Sequence, residues 1–241
     1  MADTGLHPRH MGLNPAPLSD WLKPQPGDDN LLTLRQRLID THRDEVLAVL
    51  PQAHSAIAEL ASRLHMARAE PVAALSNLGT RLAEDLCILT RHGLENFVLS
   101  AGVLCFPNRW RLREKIGGTV LEAHAPVPEY AALMTTAVDR FLARLKPERF
   151  YHRGNWGLSS SPELFLPAPT PPVNPVRDTD FFLRREEQGF LKLPQTGAVV
   201  FSIRTVVTPW AETPAALREG ILETIAGLSD DLAIGLPAMV I

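Results

Sequence analysis

The spacing of apolar residues predicts helices in the first third of the chain. Apolar positions recur at helical spacing through residues 53–64, and the preceding stretch Leu31–Leu50 is also typical of a helix. Pro51 separates the two, because a proline inside a helix removes a backbone donor and clashes with the preceding turn. Residues 1–30 are rich in proline and glycine, which predicts an extended arm.

From residue 84 onward, compact apolar runs bounded by turn-forming residues predict strands. Two further amphipathic stretches predict helices near 130–145 and 213–228. The order of helices, two strands, helix, three strands and helix predicts an α+β fold, an antiparallel sheet with helices on one side. The expected units are an arm (1–30), a helical extension (31–83) and a sheet domain with a C-terminal helix (84–241). The predicted strands lie near 85–89, 97–106, 152–158, 181–193 and 198–207.

Composition narrows the class of protein. A hydrophobic fraction of 45% supports a packed core, and a net charge of −3 argues against a broad nucleic-acid surface. The sequence has no apolar run of membrane-spanning length. Residues 1–17 lack the basic-then-apolar order of a secretory signal, so we expect a cytoplasmic protein.

The chain has two cysteines, Cys87 and Cys105, both within apolar, strand-like sequence. Buried, reduced thiols are the expected state of such residues. Two cysteines cannot supply the four thiolates of a standard iron–sulfur cluster. Any such centre would therefore reside on another protein.

Common catalytic motifs are absent from the sequence. It has no Gly-x-Gly-x-x-Gly, no Walker phosphate loop, no Gly-x-Ser-x-Gly elbow and no His-Glu-x-x-His. The eight histidines are scattered rather than paired at helical spacing, which gives little support for a zinc site. Composition and spacing alone indicate an α+β domain without naming its function.

Five short segments of unusual composition follow one another along the chain. They are Cys105-Phe106-Pro107-Asn108-Arg109-Trp110, His124-Ala125-Pro126-Val127-Pro128, Arg153-Gly154-Asn155-Trp156, Glu186-Glu187-Gln188 and Ile203-Arg204-Thr205. In this order, the sequence resembles the haem-containing alpha subunit of haem-dependent oxidative N-demethylases over about residues 30–228. The resemblance implies a PAS-like fold, haem b, activation of O2 and oxidation of a small amine. It also implies a separate reductase that carries flavin and an iron–sulfur centre and draws electrons from NADPH.

The resemblance implies that His124 is the axial ligand of the haem iron. Imidazole suits haem iron, and a single histidine leaves the opposite side open to oxygen. His92 and His152 are rival ligands, and a histidine that caps the following helix is the plainer interpretation.

Arg109, Arg111 and Lys115 are candidates for neutralising the haem propionates, because guanidinium and ammonium groups pair with carboxylates. A solvated basic loop between two elements is the alternative interpretation.

Three strand residues are the catalytic candidates implied by the resemblance. Arg204 would polarise bound oxygen, and Glu186, with Gln188 on the same face of its strand, would place an amine. The plainer alternatives are an exposed edge-strand arginine, and an ion pair of Glu186 with Arg184 or Arg204.

The chain departs from the family pattern near these residues. Glu-Arg-Gln-Thr-Leu is expected where the sequence has Glu186-Glu187-Gln188-Gly189-Phe190, and Arg-Thr-Tyr is expected where it has Arg204-Thr205-Val206. These departures argue against the assumption that this chain acts on dimethylamine, the substrate that the resemblance implies. Two other functions therefore stay open: a haem-binding PAS sensor of gas or redox state, and a haem enzyme acting on another substrate of specialised metabolism.

Overall fold

A seven-stranded antiparallel sheet forms the centre of the protein. The computed structural model describes residues 13–91, 96–123 and 135–226. The strand order is β1-β5-β6-β7-β3-β4-β2, and every neighbouring pair is antiparallel. The predicted α+β class and antiparallel sheet are confirmed. The strands are β1 (Asn14–Ala16), β2 (Leu47–Val49), β3 (Asp85–Thr90), β4 (Val98–Val103), β5 (Phe150–Ser159), β6 (Phe182–Lys192) and β7 (Val199–Pro209).

Helices flank the sheet in the order that the apolar pattern predicts, with short additions between them. The described helices are α1 (Asp28–Thr41), α2 (Arg43–Val46), α3 (His54–Arg63), α4 (Pro71–Gly79), α5 (Leu112–Lys115), α6 (Val120–Ala123), α7 (Thr135–Arg144) and α8 (Ala215–Ala226). Within this described part of the chain, no helix combines the length and apolar character needed to cross a bilayer.

The two faces of the sheet are covered by different parts of the chain. Side chains alternate along β3, so Leu86 and Ile88 pack with α1, α3 and α4, on what we call the N-terminal face. Cys87 and Leu89 pack with Val138 of α7 on the opposite side, the α7 face. The helices of the predicted extension thus cover one face and α7 covers the other, an arrangement compatible with a PAS-like fold.

The predicted helix Leu31–Leu50 is wrong in its second half. Helix α1 ends at Thr41, because His42 leaves helical geometry with φ −128° and ψ 31°. After the single turn of α2, residues Leu47–Val49 form β2 and pair with β4. Pairing with the edge of a sheet satisfies the backbone groups of this apolar segment, so tertiary context overrides its helical pattern.

A buried ion pair ties α1 to the sheet. Arg35 Nη1 lies 2.6 Å from Asp85 Oδ1, and both side chains are fully buried. The same carboxylate accepts hydrogen bonds from the backbone N–H groups of Cys105 at 2.7 Å and Phe106 at 2.9 Å. Asp85 therefore fixes the start of the segment that carries Arg109.

Candidate functional site

A chain of hydrogen-bonded polar side chains crosses β5 and β6 on the α7 face. Arg153 Nε donates to Gln188 Oε1 at 2.6 Å, and Gln188 Nε2 donates to Glu186 Oε2 at 2.9 Å. Asn155 Nδ2 also donates to Glu186 Oε2, at 3.3 Å. The structure therefore brings the predicted pair Glu186 and Gln188 into one network, which we call the polar cluster.

The register of the two strands explains these contacts. Arg153 lies opposite Gln188, and Asn155 lies opposite Glu186. Directly opposed residues of an antiparallel pair place their side chains side by side. Glu186 and Gln188 share a face with Phe190, which belongs to the core of the α7 face, so both polar side chains are buried next to apolar surface.

Arg109, on the segment after β4, lies near enough to Glu186 for the two charges to interact. Its backbone N–H donates to the Leu166 carbonyl at 2.6 Å, and its Nε donates to Asn108 Oδ1 at 3.3 Å. Burial lowers the pKa of Arg109, and the nearby carboxylate of Glu186 raises it in part. The interaction between these two groups joins one predicted propionate-binding residue to one predicted catalytic residue.

Arg184 lies two residues before Glu186 and is 1% exposed. Its Nη2 donates to the Phe106 carbonyl at 2.7 Å and to the Pro107 carbonyl at 3.2 Å. Burial lowers the pKa of Arg184, since the charged guanidinium is removed from water. Among the described residues, this side chain forms no ion pair with a carboxylate, so Arg184 and Glu186 do not form the ion pair considered above.

Four buried polar atoms on β6, β7 and the segment after β4 have no hydrogen-bond partner among the residues described. They are Asn108 Nδ2, Arg111 Nε, Arg184 Nε and Thr205 Oγ1. Thr205 lies directly opposite Glu186 in the β6–β7 register. An unpaired buried polar group costs about 1–3 kcal/mol. Three of the four atoms are N–H donors, which is the arrangement expected around a bound group rich in acceptor oxygens.

Arg204 lies on the N-terminal face, away from the polar cluster. Its Nη1 is 2.6 Å from Asp28 Oδ1, and its Nη2 is 2.8 Å from Glu84 Oε1. Burial raises the pKa of Glu84, whereas the hydrogen bond from Arg204 lowers that of Asp28. The alternation along β7 puts Arg204 on the opposite face from Ile203 and Thr205. Arg204 therefore makes no contact with the side chains of Glu186 and Gln188 through this face, although all three residues line one cavity.

A cavity of about 440 Å³ lies next to Arg204, and all four residues of the polar cluster are also part of its lining. His152, one rival iron ligand, is exposed and lines this cavity, with its ring stacked on Phe150 at 6.2 Å between centroids. His152 is paired with Gly189 in the β5–β6 register, so its side chain lies on the opposite face of the sheet from that of Glu186. His152 and the polar cluster therefore start from different faces but line the same cavity.

His124 and His92 lie outside the described residues. Arg111, one of the two remaining propionate candidates, has its Nη1 3.5 Å from Glu114 Oε1. The other, Lys115, is half-buried at the end of α5. Within the described ranges, no group of three histidine, cysteine or acidic residues is arranged to hold a metal ion.

The departures from the family pattern fall on both faces of the sheet. Glu187 and Gly189 point toward the N-terminal face, and Glu187 is exposed. Phe190 points toward α7 and stacks on Phe201 at 4.7 Å between ring centroids. Only Phe190, of these three changes, shares a face with Glu186.

Arg153 and Thr205 were not predicted from the sequence to be neighbours of Glu186. Alternation along each strand would have placed Arg153 and Asn155 on one face. Their position opposite Glu186 depends on the β5–β6 register, which is set across a long connection that carries no short turn motif.

A protein-family model described as "haem-dependent oxidative N-demethylase, alpha subunit-like" matches residues 61–234, more than two thirds of the chain. This match spans the polar cluster, Arg109, Arg204 and His124. No curated protein sequence matches the chain.

Proposed function

Since this chain belongs to the alpha-subunit-like family of haem-dependent oxidative N-demethylases, we propose that it binds haem b on the α7 face and oxidises a small amine with O2. The observation that supports this site is the buried polar cluster around Glu186, set beside the aromatic core of the same face. A buried carboxylate beside apolar surface can hold an ammonium group near a porphyrin.

The described residues fit a haem at this face in two respects. The core cluster that contains Phe190, Phe201 and Ile203 places buried apolar side chains, of the kind that contact a macrocycle, beside the polar cluster. The Nε–H of Arg111 is buried without a partner among the described residues, and a propionate would satisfy it. Arg109 and Lys115 lie on the same segment and would add positive charge.

His124 directly follows α6 in the sequence, and Val120 of α6 packs in the core of the α7 face. We therefore propose His124 as the iron ligand, in preference to His152 on the other face. When bound, haem supplies the activation of O2.

The reaction proposed is demethylation of an N-methyl amine, R–NH–CH3 + O2 + 2 H⁺ + 2 e⁻ giving R–NH2 + CH2O + H2O. Glu186 would hold the protonated amine and accept its proton, and Gln188 and Asn155 would orient the carboxylate. The two electrons would come from NADPH through a partner reductase with flavin and iron–sulfur centres, since this chain has only two cysteines.

The resemblance implies that Arg204 polarises oxygen. Its ion pairs with Asp28 and Glu84 support a different proposal, that Arg204 acts as a positioning residue by holding α1 and the start of β3. This role predicts a loss of stability when Arg204 is replaced.

The absorption spectrum of the purified protein tests haem binding directly. Oxidised, dithionite-reduced and carbon monoxide-treated spectra should show a Soret band that shifts with carbon monoxide, as an open coordination site requires. His124→Ala should lose this pigment and His152→Ala should keep it. A protein that stays colourless after haem is added would contradict the proposal, and retained haem in His124→Ala would contradict the ligand.

Formaldehyde release tests catalysis. With NADPH and a surrogate flavin reductase, wild type should release formaldehyde from an N-methyl amine, and Glu186→Gln should be at least tenfold slower. Arg185→Gln, which changes the neighbouring residue on the other face of β6, is the matched control and should retain the rate. Haem that binds carbon monoxide without any amine turnover would favour the sensor function instead.

A further inference from the structure

We propose that the substrate of the polar cluster carries an anionic group beside its amine, as an N-methylated amino acid does. The inference rests on the proposed function and concerns the chemical class of the amine. Three buried donor atoms without hydrogen-bond partners among the described residues, on Asn108, Arg184 and Thr205, support it.

The anionic half of the substrate is inferred from unpaired donors. Asn108 Nδ2 and Arg184 Nε are buried without hydrogen-bond partners among the described residues. The two residues are neighbours, because Arg184 Nη2 donates to the carbonyl of Pro107, next to Asn108. Two N–H donors beside a buried positive charge suit a carboxylate, and leaving them unpaired costs free energy.

The guanidinium of Arg184 is held by backbone carbonyls, which supports an anionic ligand next to it. Backbone carbonyls of Phe106, Pro107, Glu163 and Leu164 accept from its terminal nitrogens. Carbonyl oxygens orient the guanidinium but do not neutralise its charge. The carboxylates of Glu186 and Asp85 act on this charge without forming an ion pair with it in the described part of the chain. An anionic ligand at Nε would pair with the buried cation directly.

The cationic half of the substrate is inferred from Glu186. Within the described ranges, both hydrogen bonds to its carboxylate, from Asn155 and Gln188, end on Oε2. Oε1 is thus the oxygen available to an ammonium group. Arg184 lies two positions along the same strand, so its Cα is about 7 Å from that of Glu186 at the usual strand rise. That spacing suits a small zwitterion, with its amine at Glu186 and its carboxylate toward Arg184.

Thr205 adds a third donor beside the Glu186 end of the arrangement. It lies directly opposite Glu186, and its buried hydroxyl has no partner among the described residues. Opposed side chains have Cβ atoms about 5 Å apart. The hydroxyl can therefore donate to a carboxylate held between Glu186 and Arg184. Dimethylamine has no acceptor oxygen and would leave all three donors unsatisfied.

A haem propionate is a second source of the same carboxylate chemistry, and the experiment separates the two. Titration calorimetry on haem-loaded protein compares N-methylglycine with dimethylamine, which differ by the carboxylate alone. The variants are Thr205→Val and Asn108→Leu. Thr208→Val, a half-buried position on the opposite face of β7, is the matched control. Haem content is measured on each purified variant.

We expect wild type to bind N-methylglycine at least tenfold more tightly than dimethylamine. Thr205→Val should weaken N-methylglycine binding about tenfold, the usual effect of losing a hydrogen bond to a charged group. Its dimethylamine binding and haem content should not change, and Thr208→Val should match wild type.

Equal or tighter binding of dimethylamine by haem-loaded wild type would overturn this inference and leave the proposed function standing. Variants that lose haem yet still prefer N-methylglycine to dimethylamine as wild type does would show that the donors bind a haem propionate. This result would also overturn the inference. A protein that binds no haem fails the proposed function, a result that the absorption spectrum reports before any amine is added.

Discussion

Arg204 on β7 and Asp28 at the start of α1 are 176 residues apart in the chain, and their side chains form an ion pair with an Nη1–Oδ1 distance of 2.6 Å. The same guanidinium pairs with Glu84, just before β3. Three separate segments therefore meet at one side chain. A residue that the family resemblance places in catalysis thus has a clear structural role.

Arg204→Met should destabilise the protein by about 3–5 kcal/mol, because removing one partner leaves two largely buried carboxylates uncompensated. Urea denaturation measures the change. Arg185→Gln, a half-buried arginine on the adjacent strand, serves as control and should stay within about 0.5 kcal/mol of wild type. Unchanged stability together with lost turnover would instead support the oxygen-polarising role that the resemblance implies.

The Asp28–Arg204 pair should make stability depend on pH in the acid range. Arg204 lowers the pKa of Asp28 below its ordinary value of 3.8. Stabilisation from a carboxylate with a lowered folded pKa is present above the unfolded pKa and is lost as pH falls through the folded pKa. The stability difference between wild type and Asp28→Asn should therefore be constant from pH 7 to about pH 5 and shrink below pH 4.

Urea midpoints at each pH give this difference. Burial raises the pKa of Glu84, which contributes a pH dependence of the opposite sign, but Glu84 is present in both proteins and largely cancels. A difference that does not change between pH 7 and pH 3 would show that the pair contributes nothing to acid stability.

Gly189→Ala should destabilise the sheet by about 1–3 kcal/mol, the usual cost of overpacking. An added Cβ would lie 2.6 Å from Ser202 Oγ and 2.7 Å from Phe150 Cε2. Gly220→Ala in α8 is the matched change, since its Cβ would meet nothing within 4 Å. This helical substitution should be neutral or stabilising by up to about 1 kcal/mol, and thermal denaturation compares the two.

Neither cysteine should react with a thiol reagent in the folded protein at pH 8. Cys87 and Cys105 are both free and buried, which confirms the expectation from sequence. Burial raises the pKa of Cys105 to about 12 and raises that of Cys87 as well. The reactive thiolate is therefore scarce as well as inaccessible. Labelling should reach both cysteines after unfolding in urea, and fast labelling of the native protein would contradict the packing at these positions.

The apolar pattern predicted the five central strands and the order of the main helices because their burial is set by local periodicity. It did not predict β2 within Leu31–Leu50, since that edge strand exists only through its pairing with β4. For the same reason, the resemblance could name Glu186 and Arg204 as catalytic candidates but could not show that their side chains lie on opposite faces of the sheet. Strand register and the distant partners Asp28 and Arg153 determine their surroundings.

Strand β6 presents different side chains to the two faces of the sheet. Its even-numbered side chains from 184 to 190 face the proposed haem side, whereas Glu187 and Gly189 face the other side. A substitution at an odd position can therefore change the N-terminal face while leaving the hydrogen bonds of Glu186 in place. Along this strand, whether a residue number is odd or even determines which face of the sheet a mutation changes.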